Sequence, residues 1–168
     1  MRPFEEDVER LDAIPGIGRA TAEAILAEIG TQMDRFPTAA HLCSWAGVAP
    51  GNHESAGKRK SGRTTQDNPA LRYTLIEAAR SAARRKNTYL SAQYHRIAAR
   101  RGANRAAVAV AHTMLVMIYH MLTRHEPYRD LGGNYFDLRH KERTTSNAVK
   151  KLESLGYTVT ITPVAPVA

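Results

Sequence analysis

The chain has 168 residues, 43% of them hydrophobic, which is typical of one soluble domain with or without a small appendage. Its 24 lysines and arginines exceed its 16 aspartates and glutamates, so the formal net charge is +8 at pH 7. This balance favours a polyanionic partner, while the single cysteine excludes an internal disulfide and favours a reducing cytosol.

The first predicted elements are two helices, over residues 5–13 and Arg19–Ile29, joined by an I-P-G-I-G turn. Apolar residues of the second helix recur at i, i+3, i+4 and i+7, as one buried face requires. Helix, glycine turn, helix is the pattern of a helix-hairpin-helix, whose backbone N–H groups can hold a DNA phosphate. It predicts DNA contacts at Gly16, Gly18 and Arg19, with a plain helical turn as the alternative.

A short helix that Thr38 caps and that ends at Trp45 leads into a loop from Gly47 to Arg63. Ser55 precedes four cations in this loop, and no acidic residue lies between Ser55 and Arg63. A hydroxyl that attacks a phosphodiester needs cations that stabilise the developing charge and a backbone that admits the substrate. The loop therefore predicts a catalytic Ser55 beside DNA-binding cations, with a solvated basic loop as the alternative. The cations are Lys58, Arg59, Lys60 and Arg63.

Three other polar residues of the loop are secondary candidates. His53 and Glu54 precede the serine and are candidates for proton transfer, although polar loop residues more often face water. Ser61 is a second candidate nucleophile by residue type.

Basic helices are predicted after the loop. Asn68-Pro69 predicts a helix start, and the helix is expected to run to about residue 85. Arg72, Arg80 and Arg84 follow at spacings of eight and four, which is compatible with one DNA-binding face. No carboxylate occurs between Glu77 and Glu126, so the charged side chains of this interval are all lysines and arginines. A positive charge that no acid offsets favours contact with a polyanion. The interval contains Arg80, Arg84, Arg85, Lys86, Arg96, Arg100, Arg101, Arg105 and Arg124.

Two further helices are predicted, one opening at Asn87 or Thr88 and stopping at Gly102, the other over 104–123. The second is the most hydrophobic, and its polar interruptions favour a core helix over a membrane span. No lipidation motif, signal peptide or amphipathic anchor is visible, so no membrane partner is expected. Two tyrosines and two histidines of these helices are expected to pack rather than to stack on bases or bind metal. They are Tyr89, Tyr94, His112 and His120.

The carboxy-terminal part is predicted to contain a connector over 127–136, a helix over 139–155 and a short strand over 157–162. The predicted fold class is therefore mainly α: a helix-hairpin-helix followed by a helical bundle, with a short C-terminal β-strand. We divide the chain into a helix-hairpin-helix element at 1–32, the serine loop and basic helical core at 33–126, and a C-terminal part at 127–168.

Four stretches in a fixed order resemble a known family. They read L-D-A-I-P-G-I-G-R-A-T-A-E-A-I-L-A-E-I-G, R-F-P-T-A-A-H-L-C-S-W-A-G-V-A-P, E-S-A-G-K and N-P-A-L-R-Y-T-L-I-E-A-A. The chain resembles, over 11–163, the carboxy-terminal transposase domain of the bacterial insertion-sequence 110/116/902 transposases, which are similar to Piv-type DNA invertases. Later strings, A-V-A-V-A-H-T-M-L-V-M-I-Y-H and P-Y-R-D-L-G-G-N-Y-F-D, also resemble members of that family.

The resemblance implies DNA transposition by a recombinase with a serine nucleophile. The family's serine lies five positions after the proline of a G-x-x-P motif, which here points from Pro50 to Ser55. The resemblance also implies self-association on DNA, a structured guide RNA in at least part of the family, and a cytoplasmic, nucleoid-associated location.

The family also has an amino-terminal RNase H-like domain with metal-binding carboxylates, which we expect to be absent from this chain. The resemblance therefore implies no cofactor in the chain, with Mg²⁺ expected only in that domain. Gln66 and Asp67 stand where the family commonly has lysine and glycine, which is expected to weaken phosphate contact there. Two other classes remain open: a non-catalytic nucleic-acid-binding fragment or accessory subunit, and an oligomerisation domain that uses the apolar helix at 106–122.

Overall fold

The computed structural model describes residues 3–51, 53–55, 58–61 and 68–164. The fold is mainly α, as predicted, and the described residues divide into one unit ending at Gly133 and another beginning at Asn134. The helices are α1 Pro3–Asp12, α2 Arg19–Ile29, α3 Ala39–Trp45, α4 Pro69–Ala83, α5 Tyr89–Arg101, α6 Ala103–Arg124, α7 Tyr135–Arg139 and α8 Lys141–Ser154. The strands are β1 His53–Ser55 and β2 Lys58–Ser61, and Met33–Arg35 form a 3₁₀ turn.

Helices α1 and α2 pack against each other and against the bundle of the first unit. Val8 and Leu11 of α1 and Ile25 of α2 are fully buried, and so is Ile14 in the turn that joins the helices. The apolar spacing of α2 therefore predicted its buried face correctly.

Helix α6 is the central helix of the first unit and packs against α3, α4 and α5. It is long and apolar enough to cross a membrane by length and composition, and half of its apolar window is buried inside the protein. Burial in the bundle accounts for this apolar character, because the buried residues recur along one side of the helix. They are Ala106, Ala107, Val110, Ala111, Met114, Leu115, Ile118, Met121 and Leu122.

Helix starts coincide with the predicted capping residues. Thr38 Oγ1 accepts from His41 N, Asn68 Oδ1 accepts from Leu71 N, and Thr88 Oγ1 accepts from Ser91 N. Each cap satisfies a backbone N–H that has no partner within the first turn of its helix.

The second unit contains α7 and α8, neither of which has a fully buried residue. The strand predicted over 157–162 is wrong, because these residues lie outside any helix or strand. Alternating apolar residues form a strand only when another strand supplies backbone partners, and none of the described residues of this unit forms one.

Candidate nucleic-acid interface and serine hairpin

The predicted serine loop contains an antiparallel hairpin. Ser55 pairs with Lys58, Glu54 pairs with Arg59, and an irregularity separates these pairs from the pairing of His53 with Ser61. The hairpin thus brings the backbone of the candidate nucleophile next to that of a candidate cation. Sequence reasoning treated the segment as a loop, because Ala56-Gly57 is not among the residue pairs typical of two-residue hairpin turns.

Several predicted side-chain roles fall outside the described residues. Arg63, Gln66 and Asp67 lie outside them entirely, and the side chains of the hairpin residues are likewise not described. The roles of Ser55 and of the hairpin cations Lys58, Arg59 and Lys60 therefore stay predictions.

Both ends of the segment that carries the hairpin are fixed to helices. At its start, the backbone N–H groups of Val48 and Ala49 donate to Cys43 O at 3.1 and 3.2 Å. At its end, Asn68 Nδ2 donates to Glu28 Oε2 at 2.9 Å while Asn68 caps α4. The segment that carries the hairpin therefore begins and ends at contacts with α2, α3 and α4.

The glycine turn lies against α4. Gly16 has φ +91°, and a Cβ built there would contact Ala78 O and lie 2.5 Å from Ala82 N. Glycine is therefore required at this position for packing, independently of any contact with DNA. Gly18 is the N-cap residue of α2, and a Cβ at this position would have no atom within 4 Å.

Arg19, the third residue predicted to contact DNA in this turn, is exposed but paired with two carboxylates. It bonds to Glu5 of α1, and its Nε lies 3.1 Å from Glu23 Oε1. Hydrogen bonding to Glu5 raises the pKa of Arg19 above its ordinary value. A phosphate at this position would have to compete with both acids, which weakens the electrostatic case for Arg19 as a DNA contact.

The three α4 arginines differ in exposure. Arg80 and Arg84 are exposed, whereas Arg72 is half-buried. Arg80 pairs with Glu77 at 2.8 Å and also donates to Asn104 Oδ1 at 3.3 Å. The common DNA-binding face of these three arginines therefore stays a prediction.

The bond between Arg80 and Asn104 joins α4 to the start of α6. Asn104 lies between Arg101 and Arg105, both of which are exposed. Arg80 thereby lies close to the start of α6, and we call the four exposed arginines Arg80, Arg84, Arg101 and Arg105 the arginine surface. The sequence predicted the basic interval but not the contact between α4 and α6, because that contact depends on how the two helices pack.

Asp130 holds the P-Y-R-D-L-G-G segment against the start of α5. Its Oδ1 accepts from Tyr89 N at 3.0 Å and from Gly132 N at 2.7 Å, and its Oδ2 accepts from Tyr128 O–H at 2.8 Å. Burial and the bond to Asp130 raise the pKa of Tyr128 well above its ordinary value. Gly133 completes the contact, since a Cβ there would lie 2.9 Å from Asn87 Cα. This role of Asp130 was missed in the sequence.

Buried titratable groups of the bundle behave as core residues. Cys43 is fully buried, and burial raises the pKa of its thiol to about 11, as expected for a packed rather than a reactive cysteine. Burial also lowers the pKa of His112, which favours the neutral imidazole.

The acidic cluster of α1 does not fit a magnesium site. Three of its carboxylates are held by arginines: Glu5 by Arg19, and Glu6 and Asp7 by Arg10. Oxygen ligands of Mg²⁺ would have to release these cations first. Across the parts of the chain that the structure describes, no group of three histidine, cysteine or carboxylate residues could hold a metal ion.

The sequence matches a family of mobile-element enzymes. The family model described as Transposase IS116/IS110/IS902 family matches residues 8–96, which include the end of α1, all of α2 to α4, the hairpin and the first part of α5. The chain belongs to this transposase family.

Two curated relatives agree with this membership. The chain is 35% identical over 132 residues to the transposase for insertion sequence element IS1111A of Coxiella burnetii, an alignment that covers 74% of this chain and 35% of that protein. It is 28% identical over 134 residues to a candidate transposase, y4pF/y4sB, of Sinorhizobium fredii, covering 77% of this chain and 34% of the relative. The chain thus spans about a third of the length of the curated relatives it matches.

Proposed function

We propose that this chain binds DNA and that Ser55 cleaves and rejoins a DNA strand during transposition of an insertion sequence. The supporting observation is the hairpin register, which pairs Ser55 with Lys58 inside the region that matches the transposase family. A nucleophile with a cation at the neighbouring backbone position suits attack on a phosphodiester.

The proposed step is a transesterification. Ser55 Oγ attacks phosphorus, the bond from phosphorus to the 3′ oxygen breaks, and the serine proton ends on the departing 3′ oxygen. His53 and Glu54 are the candidate carriers of that proton, and the hairpin cations together with Arg63 neutralise the transition state. The phosphoserine ester conserves the bond energy, so the freed 3′ hydroxyl of a new strand reverses the step without a nucleotide cofactor.

DNA is held by two further regions in this proposal. The arginine surface contacts phosphates, and the turn before α2 acts as a helix-hairpin-helix that contacts the backbone through Gly18. Gly16 supports that turn from the α4 side. Self-association on DNA, a guide RNA partner, a cytoplasmic, nucleoid-associated location and a metal requirement confined to another domain belong to the same proposal.

The decisive experiment is covalent trapping on nicked duplex DNA, where loss of the short cleaved piece leaves the adduct unable to reverse. We expect the full chain to form a detergent-stable adduct that Ser55→Ala abolishes. Ser61→Ala is the matched control, because Ser61 lies on the other strand of the same hairpin, and we expect it to keep the adduct. An adduct that survives Ser55→Ala contradicts the assignment.

A non-catalytic nucleic-acid-binding subunit is the second candidate, favoured by the basic interval between Glu77 and Glu126, because phosphate binding by cations needs no nucleophile. It predicts the same salt-dependent binding but no adduct with any variant. Binding without trapping would therefore assign the chain to this class.

A further inference from the structure

Arg35 lies against two aromatic rings. Its guanidinium carbon is 4.9 Å from the centroid of Phe36 and 5.5 Å from that of Trp45, and the two rings are themselves 5.4 Å apart. Stacking on ring faces orients a guanidinium while its N–H edges remain available to a planar or tetrahedral anion.

The backbone beneath this cation is anchored to the core. Phe36 is buried, its N–H donates to Met33 O at 2.9 Å, and its carbonyl accepts from Tyr119 O–H of α6 at 3.1 Å. Arg35 itself is exposed. The charged group is thus pre-organised at the surface, which lowers the entropy that ligand binding has to overcome.

Arg35 differs from Arg19, whose guanidinium forms ion pairs with Glu5 and Glu23. None of the ion pairs among the described side chains includes Arg35. Asp34 is its nearest acidic neighbour in sequence, and both residues border a shallow depression that follows α2.

Arg35 and Glu28 lie on one short segment whose side chains contact residues on either side of the hairpin region, Trp45 before it and Asn68 after it. Glu28, at one end of this segment, bonds to Asn68, where the hairpin region ends. Arg35, at the other end, stacks on Trp45, just before Gly47 begins that region. A cation at the base of the hairpin is well placed to contact DNA that reaches Ser55.

We propose that Arg35, stacked on Phe36 and Trp45, binds a backbone phosphate of DNA at the base of the serine hairpin. This inference rests on the proposed DNA binding but not on the proposed cleavage by Ser55. The two proposals are therefore tested separately. The covalent-adduct assay tests cleavage by Ser55, and duplex-binding affinity tests the Arg35 contact.

The chain provides its own probe, because Trp45 is its single tryptophan. We expect a short duplex of mixed sequence to change the Trp45 fluorescence of the full chain, since a phosphate on the guanidinium alters the charge next to the indole. Duplex binding followed by anisotropy without any change in Trp45 emission would overturn the proposal.

Two substitutions test the contact itself. Arg35→Gln is expected to reduce the slope of log affinity against log salt by about 1, as loss of one phosphate contact requires. Arg35→Lys keeps the charge but not the stacked, forked geometry, and is expected to weaken binding on the order of several-fold. A salt slope for Arg35→Gln equal to that of the native chain would refute the phosphate contact.

Arg143→Lys is the matched control, because Arg143 is exposed on α8 and belongs to no proposed binding surface. We expect it to bind duplex as the native chain does. Far-UV circular dichroism tests whether each variant folds. If Arg35→Gln does not fold, Arg35→Lys decides instead, and duplex binding by Arg35→Lys with the affinity of the native chain would overturn the inference.

Discussion

The side-chain amide of Asn68 joins two helices, since its Nδ2 donates to Glu28 Oε2 at 2.9 Å while its Oδ1 accepts from Leu71 N at 3.0 Å. The first bond fixes the end of the hairpin region to α2, and the second caps α4. One residue therefore couples the position of the candidate catalytic segment to the bundle.

Substitutions at Asn68 are expected to separate these two roles. Asn68→Ala loses both and should destabilise the fold by about 1–2 kcal/mol. Asn68→Asp keeps a capping oxygen but faces the carboxylate of Glu28, and Glu28→Gln should relieve that repulsion. Urea unfolding measures the stability, and an Asn68→Asp/Glu28→Gln pair no more stable than Asn68→Asp would show that the two side chains do not interact.

Gly16 is expected to be the least replaceable residue of the turn between α1 and α2. An alanine there would place Cβ against the α4 backbone at a positive φ, so the helices must separate, and we expect a loss of about 1–3 kcal/mol. Gly18→Ala is the matched control, because φ is −102° and the position is open. Equal unfolding midpoints for the two variants would contradict the contact with α4.

Local signals in the sequence predicted most helix limits. Thr38, Asn68 and Thr88 cap helices through side chains that bond within the next three residues, and Gly102 ends α5 as predicted. Such short-range contacts can be predicted from the sequence alone. The apolar periodicity of α2 predicted its buried face, because burial on a helix follows its 3.6-residue repeat, and the hydrophobicity of α6 predicted a core helix.

Features that depend on distant contacts were not predictable in the same way. The pairing of Arg19 with Glu5 and the half-burial of Arg72 follow from how helices cross, not from their spacing. The strand over 157–162 was wrong because alternation alone does not supply a partner strand. The hydrogen bond between Arg80 and Asn104 was likewise not predictable. Counting charges in the sequence identified the cations, but it did not show that α4 contacts the start of α6.

Asp130 and Tyr128 are expected to make the fold sensitive to alkaline pH. The raised pKa of Tyr128 means that the folded state holds its proton more tightly than the unfolded state, whose phenol ionises near the ordinary value of 10.0. The corresponding stability is complete below that pH and is lost as the pH rises above it. Tyr128→Phe should lower stability at neutral pH and flatten this alkaline decline, as urea unfolding at several pH values would reveal.

Cys43 is expected to resist alkylation in the folded protein. Its thiol is fully buried, and a pKa of about 11 leaves little thiolate at neutral pH, so maleimide should react only after opening of the bundle. Because the chain has one cysteine, mass spectrometry of the labelled chain reports opening directly. Labelling at the rate of an unfolded peptide, without denaturant, would contradict burial beneath α6.

Arginines that form no ion pair with a described carboxylate are expected to contribute more to DNA binding than arginines that are already paired. Arg84→Gln and Arg105→Gln, both on the arginine surface, should each reduce the salt slope of duplex binding by about 1, because each removes one phosphate contact. Arg19→Gln should reduce it less, since Glu5 and Glu23 already neutralise that charge and would be released as unpaired acids. Anisotropy titrations across a salt series measure all three slopes. If Arg19→Gln has the largest effect, the turn before α2 rather than the arginine surface is the principal phosphate contact, and the ion pairs of Arg19 must open when DNA binds.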